Sequence, residues 1–444
     1  MEGTAFIRQI CAAVTSSADL TPGSIRDASL AFKDTLACIA AGWDEPVTQK
    51  LLDLYARRDA AGGVKLLDGR SVAAAETAAL IWATSGHALD YDDVHLTSVT
   101  HPSVVMIPVL MALVAEHPEA APRAASALAV GTGVNIALGQ VLGYDHYDKG
   151  WHATSTIGGV AAAAAAAHLL QLSPDVTRHA IGLAAAQACG LQRNFGSMTK
   201  PLHAGFAAAA AVRAIQLADA GVTASPDVFG DKGFFDLYGG PNGYNSPDDI
   251  RIQPDLSSLS RKLFPCCYQT HRIIAAGLAA RAQLADTPDA STRIELEVPF
   301  GTMRPLHVLA PRTGLEAKFC AAYALAVALH QGHVGLADFE DDAVLRPEIR
   351  RLMAQINIRE DELKGEIPIG IEHGSVRLTL RRDNHQLAYA DIAPFPGSPA
   401  DPATDAQIEA KVADCLARYN RGRAAPRGRE DFASLVQTFL PAAL

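Results

Sequence analysis

Between Gly86 and Pro108 three aspartates (Asp90, Asp92, Asp93) and three histidines (His87, His95, His101) crowd into a stretch that is otherwise largely apolar or small. Carboxylates and imidazoles carry protons near neutral pH, so this crowding points to acid–base chemistry at a partly buried site. Three further segments hold groups able to join it. In Lys149–Gly158, His152 stands in a Gly/Thr/Ser-rich approach to a polyalanine run, where the free N–H groups of a helix start would suit a carboxylate. In Gly196–Gly205, Lys200 precedes a proline at the head of an alanine-rich helix, from which it cannot easily reach around a buried core to solvent. In Arg261–Arg272, Lys262 lies where the composition of the chain changes. The Asp/His run could also be read as a metal cage, but consecutive acids rarely all face one ion, and no metal or other cofactor is expected.

Other motif readings are weaker. Gly131-Thr132-Gly133 lacks the third glycine of a dinucleotide loop, and no phosphate-loop Gly-Lys-Ser/Thr occurs. Ser197-Met198-Thr199-Lys200 matches the S-x-x-K of penicillin-recognising hydrolases, yet the S-D-N element is absent. The net charge of -10 argues against nucleic acid or an anionic membrane as partner, while leaving room for a local basic pocket. The seven cysteines are scattered without C-x-x-C, which fits reduced thiols in a cytoplasmic protein. The N-terminus lacks the pattern of a signal peptide, and the apolar window Gly158–Leu172 is too short to span a bilayer.

The elements that must position these groups are helical in the first half. Ser24–Asp27 resembles a capping box, followed by Ile25, Phe32, Leu36 and Ile39 at helical spacing. Helices are expected over 74–87, 104–116, 124–142, 156–172, 176–190 and 202–220, with small residues allowing close axes. Gly, Pro, Asn and Asp mark 225–254 as turns. Beyond that, 293–300, 375–382 and 385–392 alternate as strands, the last two joined by a turn at Asp383-Asn384, with helical runs at 269–284 and 315–330. The segment 394–399 reads as a linker before a closing helix over 404–419. The fold expected is mainly α with an α+β second domain.

In order and spacing, His87–Asp93, Thr100-His101-Pro102-Ser103, Gly150-Trp151-His152, Thr199–Gly205 and Lys262–Pro265 resemble the MmgE/PrpD family. The family includes 2-methylcitrate dehydratase, cis-aconitate decarboxylase and iminodisuccinate epimerase. The resemblance implies a large all-helical domain from both chain ends (1–257 and 397–444) and a smaller α+β lid domain (258–396). It further implies a homodimer with the site between the domains. It assigns catalysis to Asp90, His101, His152, Lys200 and Lys262, with Tyr144, Thr154, His203, His307 and Arg272 as candidate substrate contacts. One departure is that His307 stands where the decarboxylase branch carries a tyrosine.

The chemistry common to these activities is a carbanion-like centre beside a carboxylate of a small di- or tricarboxylic acid. Positive charge in a dry site must stabilise the developing enediolate. Lys200 and Lys262 suit carboxylate binding, and His101 and His152 suit proton transfer, with Asp90 orienting or charging one of them. A lyase is the expected outcome, by dehydration or decarboxylation. An epimerase is the alternative, and a non-catalytic helical scaffold the third.

Overall fold

Alanine-rich helices can approach closely, and the first half of the chain is built on that property. In the computed structural model, which describes residues 2–16, 20–56, 63–240, 243–362, 373–383, 385–423 and 434, helix Thr199–Asp219 lies along Ala75–His87. A Cβ at Gly205 would stand 2.2 Å from Thr84 Oγ1 and 2.7 Å from the Leu80 carbonyl, so only glycine permits that contact. Helices Pro102–Glu116, Gly158–Leu169 and Pro174–Ala185 pack on the pair, and Ala124–Asp148 packs in turn on Gly158–Leu169 and Pro102–Glu116. Ala161–Ala167 is buried throughout.

Two local expectations need correction. The first long helix begins at Pro22, with the Thr21 hydroxyl accepting the Ser24 N–H at 3.1 Å, so Ser24–Asp27 lies inside the first turns and not at the cap. The helix expected to stop at Leu142 breaks at Gly143 (φ 63°, ψ -174°) but resumes to Asp148, and this added stretch carries Tyr144 and Tyr147. By length and composition Pro118–Asp148 could cross a membrane, yet 78% of its apolar window is buried inside the protein. Core packing accounts for its hydropathy.

The second half forms a four-stranded sheet in the order Ile356–Glu360, Thr292–Val298, Val376–Arg382, His385–Ile392. Thr292–Val298 pairs in parallel with the first and antiparallel with Val376–Arg382. Ile294, Leu296 and Val298 bury one face, as do Val376, Leu378 and Leu380, beneath helices His271–Arg281 and Ala321–Gln331. Strand Ile356–Glu360 was not anticipated, because it is a partly exposed edge with little apolar alternation. Asn384 of the expected turn lies outside the described residues.

The segment expected as a linker is packed against the protein. Phe395 is fully buried and stacks on Tyr268 at 4.9 Å. Gly397 has φ 84°, and a Cβ there would meet the Arg261 carbonyl at 1.9 Å. Helix Asp405–Asn420 then returns to Pro22–Ala41, burying Ile408, Val412, Cys415 and Tyr419 in the helical core. The core of the first domain thus draws on chain from both sides of the sheet domain.

Candidate active site

The site begins where helix Ala75–His87 ends. Asp90 takes φ 53°, a left-handed conformation unfavourable for a residue with a Cβ, and Val99 takes φ 51°, more costly still for a β-branched side chain. Such strain persists only where neighbours over-determine the backbone. Here a bridge of two hydrogen bonds joins Val94 to Ser260 (2.9 and 2.7 Å) and lays the crossing segment along the aspartate loop. Lys262 is thereby delivered to Asp90.

Lys262 Nζ donates to Asp90 Oδ1 at 2.7 Å, and Lys200 Nζ to the same oxygen at 2.8 Å. Asp90 Oδ2 is buried without a hydrogen-bond partner among the described residues. Burial opposes ionisation of Asp90, but the two ammoniums outweigh it and hold the carboxyl well below its usual range. Burial likewise opposes the charge on Lys262, and the Asp90 and Asp92 carboxylates overcome it, so its pKa is raised. This corner of the site is therefore ionic at neutral pH.

The histidines form a second layer. Asp92 lies 2.9 Å from His87 Nδ1 and 3.1 Å from His101 Nδ1, whereas Asp90 stands 3.7 Å from His101 Nε2. Asp92, more than Asp90, is thus the carboxylate that orients His101. The rings of His87 and His101 meet edge to face at 4.6 Å, and His87 stacks on His152 at 5.6 Å. His152 Nδ1 faces His203 Nδ1 at 3.0 Å, which requires one to donate and the other to accept. Burial lowers the pKa of all four, His87 to about 4 and His152 well below its ordinary value. For His101, Asp92 counters part of that effect. Neutral imidazoles beside fixed ammoniums are suited to proton transfer.

Beside these groups lies a cleft whose volume, open solvent included, is about 520 Å³. Asp90, His101, His152, Lys200, Lys262 and Tyr144 all reach it. Its other walls include Val94, Val99, Phe195, Pro305 and Phe319, apolar surface that keeps water from the charges. Lys200 Nζ lies 5.4 and 5.2 Å from the ring centres of Phe195 and Phe319. Pro305 lines the cleft from the sheet domain, and its neighbour Arg304 pairs with Asp148 and faces the ring of Tyr144, which also lines it.

Four expected substrate contacts lie elsewhere. The Thr154 hydroxyl is buried and accepts the His101 backbone N–H at 3.1 Å, in a helix of only four residues (Ala153–Thr156). His203 stands behind His152. The Arg272 guanidinium is buried, donating to the carbonyls of His373, Gly374 and Ala393 and stacking on Phe395 at 4.1 Å. His307 is exposed and turns Nδ1 toward the Pro305 carbonyl. The serine of the S-x-x-K match donates to the Asn194 carbonyl on an exposed turn, while its lysine is committed to Asp90. Sequence reasoning singled out no role for Asp92, although it lay in the cluster first noticed, nor for Tyr147, Cys267 and Gln269, which also line the cleft.

Donor atoms of His87, Asp90, Asp92 and His101 lie within 4.8 Å of one another, close enough to hold a metal ion. Two ammoniums already sit on Asp90 Oδ1 and would repel a divalent cation beside them.

Comparison with known proteins agrees with this architecture. Residues 9–246 match the MmgE/PrpD N-terminal domain and residues 264–430 the MmgE/PrpD C-terminal domain. The chain is 28% identical to human cis-aconitate decarboxylase over 305 residues, covering 63% of this chain and 60% of that enzyme. It is 28% identical to the mouse enzyme over 338 residues, 69% of this chain and 66% of the other. With cis-aconitate decarboxylase of Aspergillus terreus the identity is 26% over 375 residues, 78% and 76% of the two chains. The two domain matches together span most of the sequence, and this chain belongs to the MmgE/PrpD family.

Proposed function

We propose that this protein is a lyase that decarboxylates a small unsaturated tricarboxylic acid of the cis-aconitate class, using its own side chains. The observation that carries the reading is the convergence of Lys200 and Lys262 on one carboxylate in a cleft that also holds neutral His101 and His152. The relatives' names supply the substrate class.

In such a reaction the bond to one carboxylate breaks and carbon dioxide leaves. The electron pair moves through the double bond to the far carbon, beside a retained carboxylate. Lys200 and Lys262 would hold the retained carboxylates and stabilise this spread negative charge. A proton then closes the far carbon. His101 is the best-placed donor, with Asp92 at 3.1 Å to stabilise an imidazolium. Burial keeps it neutral, but it would gain a proton as a trianion enters, because nearby negative charge favours the charged imidazole. The apolar walls exclude water, which would otherwise quench the carbanion.

A second reading, epimerisation of an amino dicarboxylate, draws on the two neutral imidazoles in one cleft, one to remove and one to return a proton. Proton NMR of the purified protein in heavy water separates the two. Decarboxylation of cis-aconitate would place one deuteron on the retained carbon with loss of carbon dioxide. Deuterium entering an aspartate-type acid with no loss of carbon would favour the epimerase. No change in any polycarboxylate tested would overturn both. The same reading takes the protein to be a cytoplasmic homodimer, which light scattering in solution checks for assembly.

A further inference from the structure

The strained turn that carries Asp90 is held in a way the reaction does not by itself require. Three consecutive carbonyls, those of Leu89, Asp90 and Tyr91, each accept a hydrogen bond from a different buried lysine. Lys318 Nζ donates to the Leu89 carbonyl at 2.8 Å. Lys262 Nζ donates to the Asp90 carbonyl at 2.9 Å. Lys411 Nζ donates to the Tyr91 carbonyl at 2.6 Å. Each lysine comes from a separate part of the chain: Lys262 from the crossing segment, Lys318 from the sheet domain, Lys411 from the helix Asp405–Asn420.

None of the three is a surface group folded inward, since all are 3% exposed or less. Lys318 also donates to the Pro265 carbonyl at 2.7 Å and faces the Phe339 ring at 4.9 Å. It thus ties the turn to the loop just after Lys262. Lys411 is paired with Asp34 at 2.6 Å and lies over the Tyr91 ring at 4.2 Å. Burying an ammonium is costly, and burying one against carbonyls alone is costlier than against a carboxylate. Burial pushes Lys318 down to about 8, partly countered by Glu45, Cys266 and Asp90, with Arg418 acting in the same direction as burial. Such a group is poor at stabilising a fold. It is well suited to fixing the carbonyls of a left-handed turn that would otherwise relax.

We propose that Lys318 and Lys411 are positioning residues, which lock the Leu89–Tyr91 turn so that Asp90 stays between Lys200 and Lys262. Neither reaches the cleft lining, so they act through the turn. The site is then complete only when the sheet domain and the helix Asp405–Asn420 are both docked. This inference rests on the reading of Asp90 as part of the active site.

The test uses the full chain with Lys318→Met, and Lys411→Met combined with Asp34→Asn so that no buried carboxylate is left alone. Hydrogen exchange of the peptide covering residues 88–94, followed by mass spectrometry, reads the turn without any substrate. Exchange there should speed up while that of helix Thr199–Asp219 stays unchanged. With cis-aconitate, kcat should fall by about 10²-fold, the scale expected of a misplacement near 1 Å, with KM little altered. In Lys318→Ala, added ethylammonium should restore part of the lost kcat. Unchanged exchange and unchanged kcat in folded variants would overturn the proposal. So would collapse of the fold in both Lys318 variants, which would make this lysine a scaffold residue. If the wild type turned over no polycarboxylate while exchange at 88–94 still rose in the variants, the proposed reaction would fail and the clamp would stand.

Discussion

The ammonium of Lys262 lies 2.7 Å from Asp90 Oδ1 and 2.9 Å from the carbonyl oxygen of the same residue. One cation from the crossing segment therefore fixes both the side chain and the backbone of a residue in the helical domain. Removing it leaves Asp90 a single ammonium and a free carbonyl in a dry site. Lys262→Met is expected to lower thermal stability by about 3–5 kcal/mol, the usual cost of breaking a buried pair from one side. It should also lower kcat/KM by at least about 10²-fold. Thermal unfolding and steady-state rates measured on one preparation check both. Retained stability would mean that water enters to replace the lysine.

Proton transfer and its support should separate by mutation. His101→Asn and His152→Asn are expected to reduce kcat by about 10²–10⁴-fold with smaller effects on KM. His203→Phe removes only the Nδ1 partner of His152 and should cost less. Near-wild-type kcat in both of the first two variants would shift the proton-transfer role to Lys200.

Acid should weaken the fold through its buried imidazoles. Burial pushes His87, His95, His146 and His203 each down to about 4, from an ordinary value of 6.5. As pH falls from 6.5 toward 4 the unfolded chain binds protons that the folded chain refuses. Stability therefore drops, by up to about 1.4 kcal/mol per pH unit for each such histidine. Asp93, pushed by burial up to about 6, works in the opposite sense, because the folded form takes its proton first. Burial lowers His101 and His152 in the same sense, so the histidines outweigh Asp93 and the net effect is a loss. Denaturant midpoints at pH 7.5, 6 and 5 should decline in that order, and a flat series would show that these rings are already charged in the fold.

Chelation distinguishes the ion-pair site from a metal centre at the same residues. Turnover should survive dialysis against EDTA, since Lys200 and Lys262 occupy Asp90. Loss of activity restored by a divalent ion would reassign His87, Asp90, Asp92 and His101 as ligands.

The candidate site was legible in the sequence because titratable residues crowd into a few segments of a chain otherwise rich in alanine. Those segments together with the family resemblance single out Asp90, His101, His152, Lys200 and Lys262, and the structure brings them to one cleft. Which carboxylate faces which imidazole was not legible. Asp90 and Asp92 are two residues apart, and only the left-handed turn at Asp90 sends one to the lysines and the other to the histidines. Lys318 and Lys411 gave no signal, since a lysine in Glu-Ala-Lys-Phe or Glu-Ala-Lys-Val reads as an ordinary helix-surface residue. Arg272 and His307 were misjudged for the converse reason. A polar residue near a motif looks functional until its carbonyl partners, or its exposure, are seen. The helices and the alternating strands followed from periodicity, whereas the edge strand Ile356–Glu360 had too little apolar contrast to be noticed.

Lys411 reaches back across 320 residues to the carbonyl of Tyr91. On a ribosome adding about 5–20 residues per second, roughly 16–64 s separate the emergence of these two partners. Through that interval Asp34 has no counter-ion and the groove along Pro22–Ala41 has no covering helix. On the positioning role proposed for Lys411, a nascent chain can assemble most of its helical core early while the Leu89–Tyr91 turn is still without its last lysine, and the candidate site is completed only once the returning helix has been made.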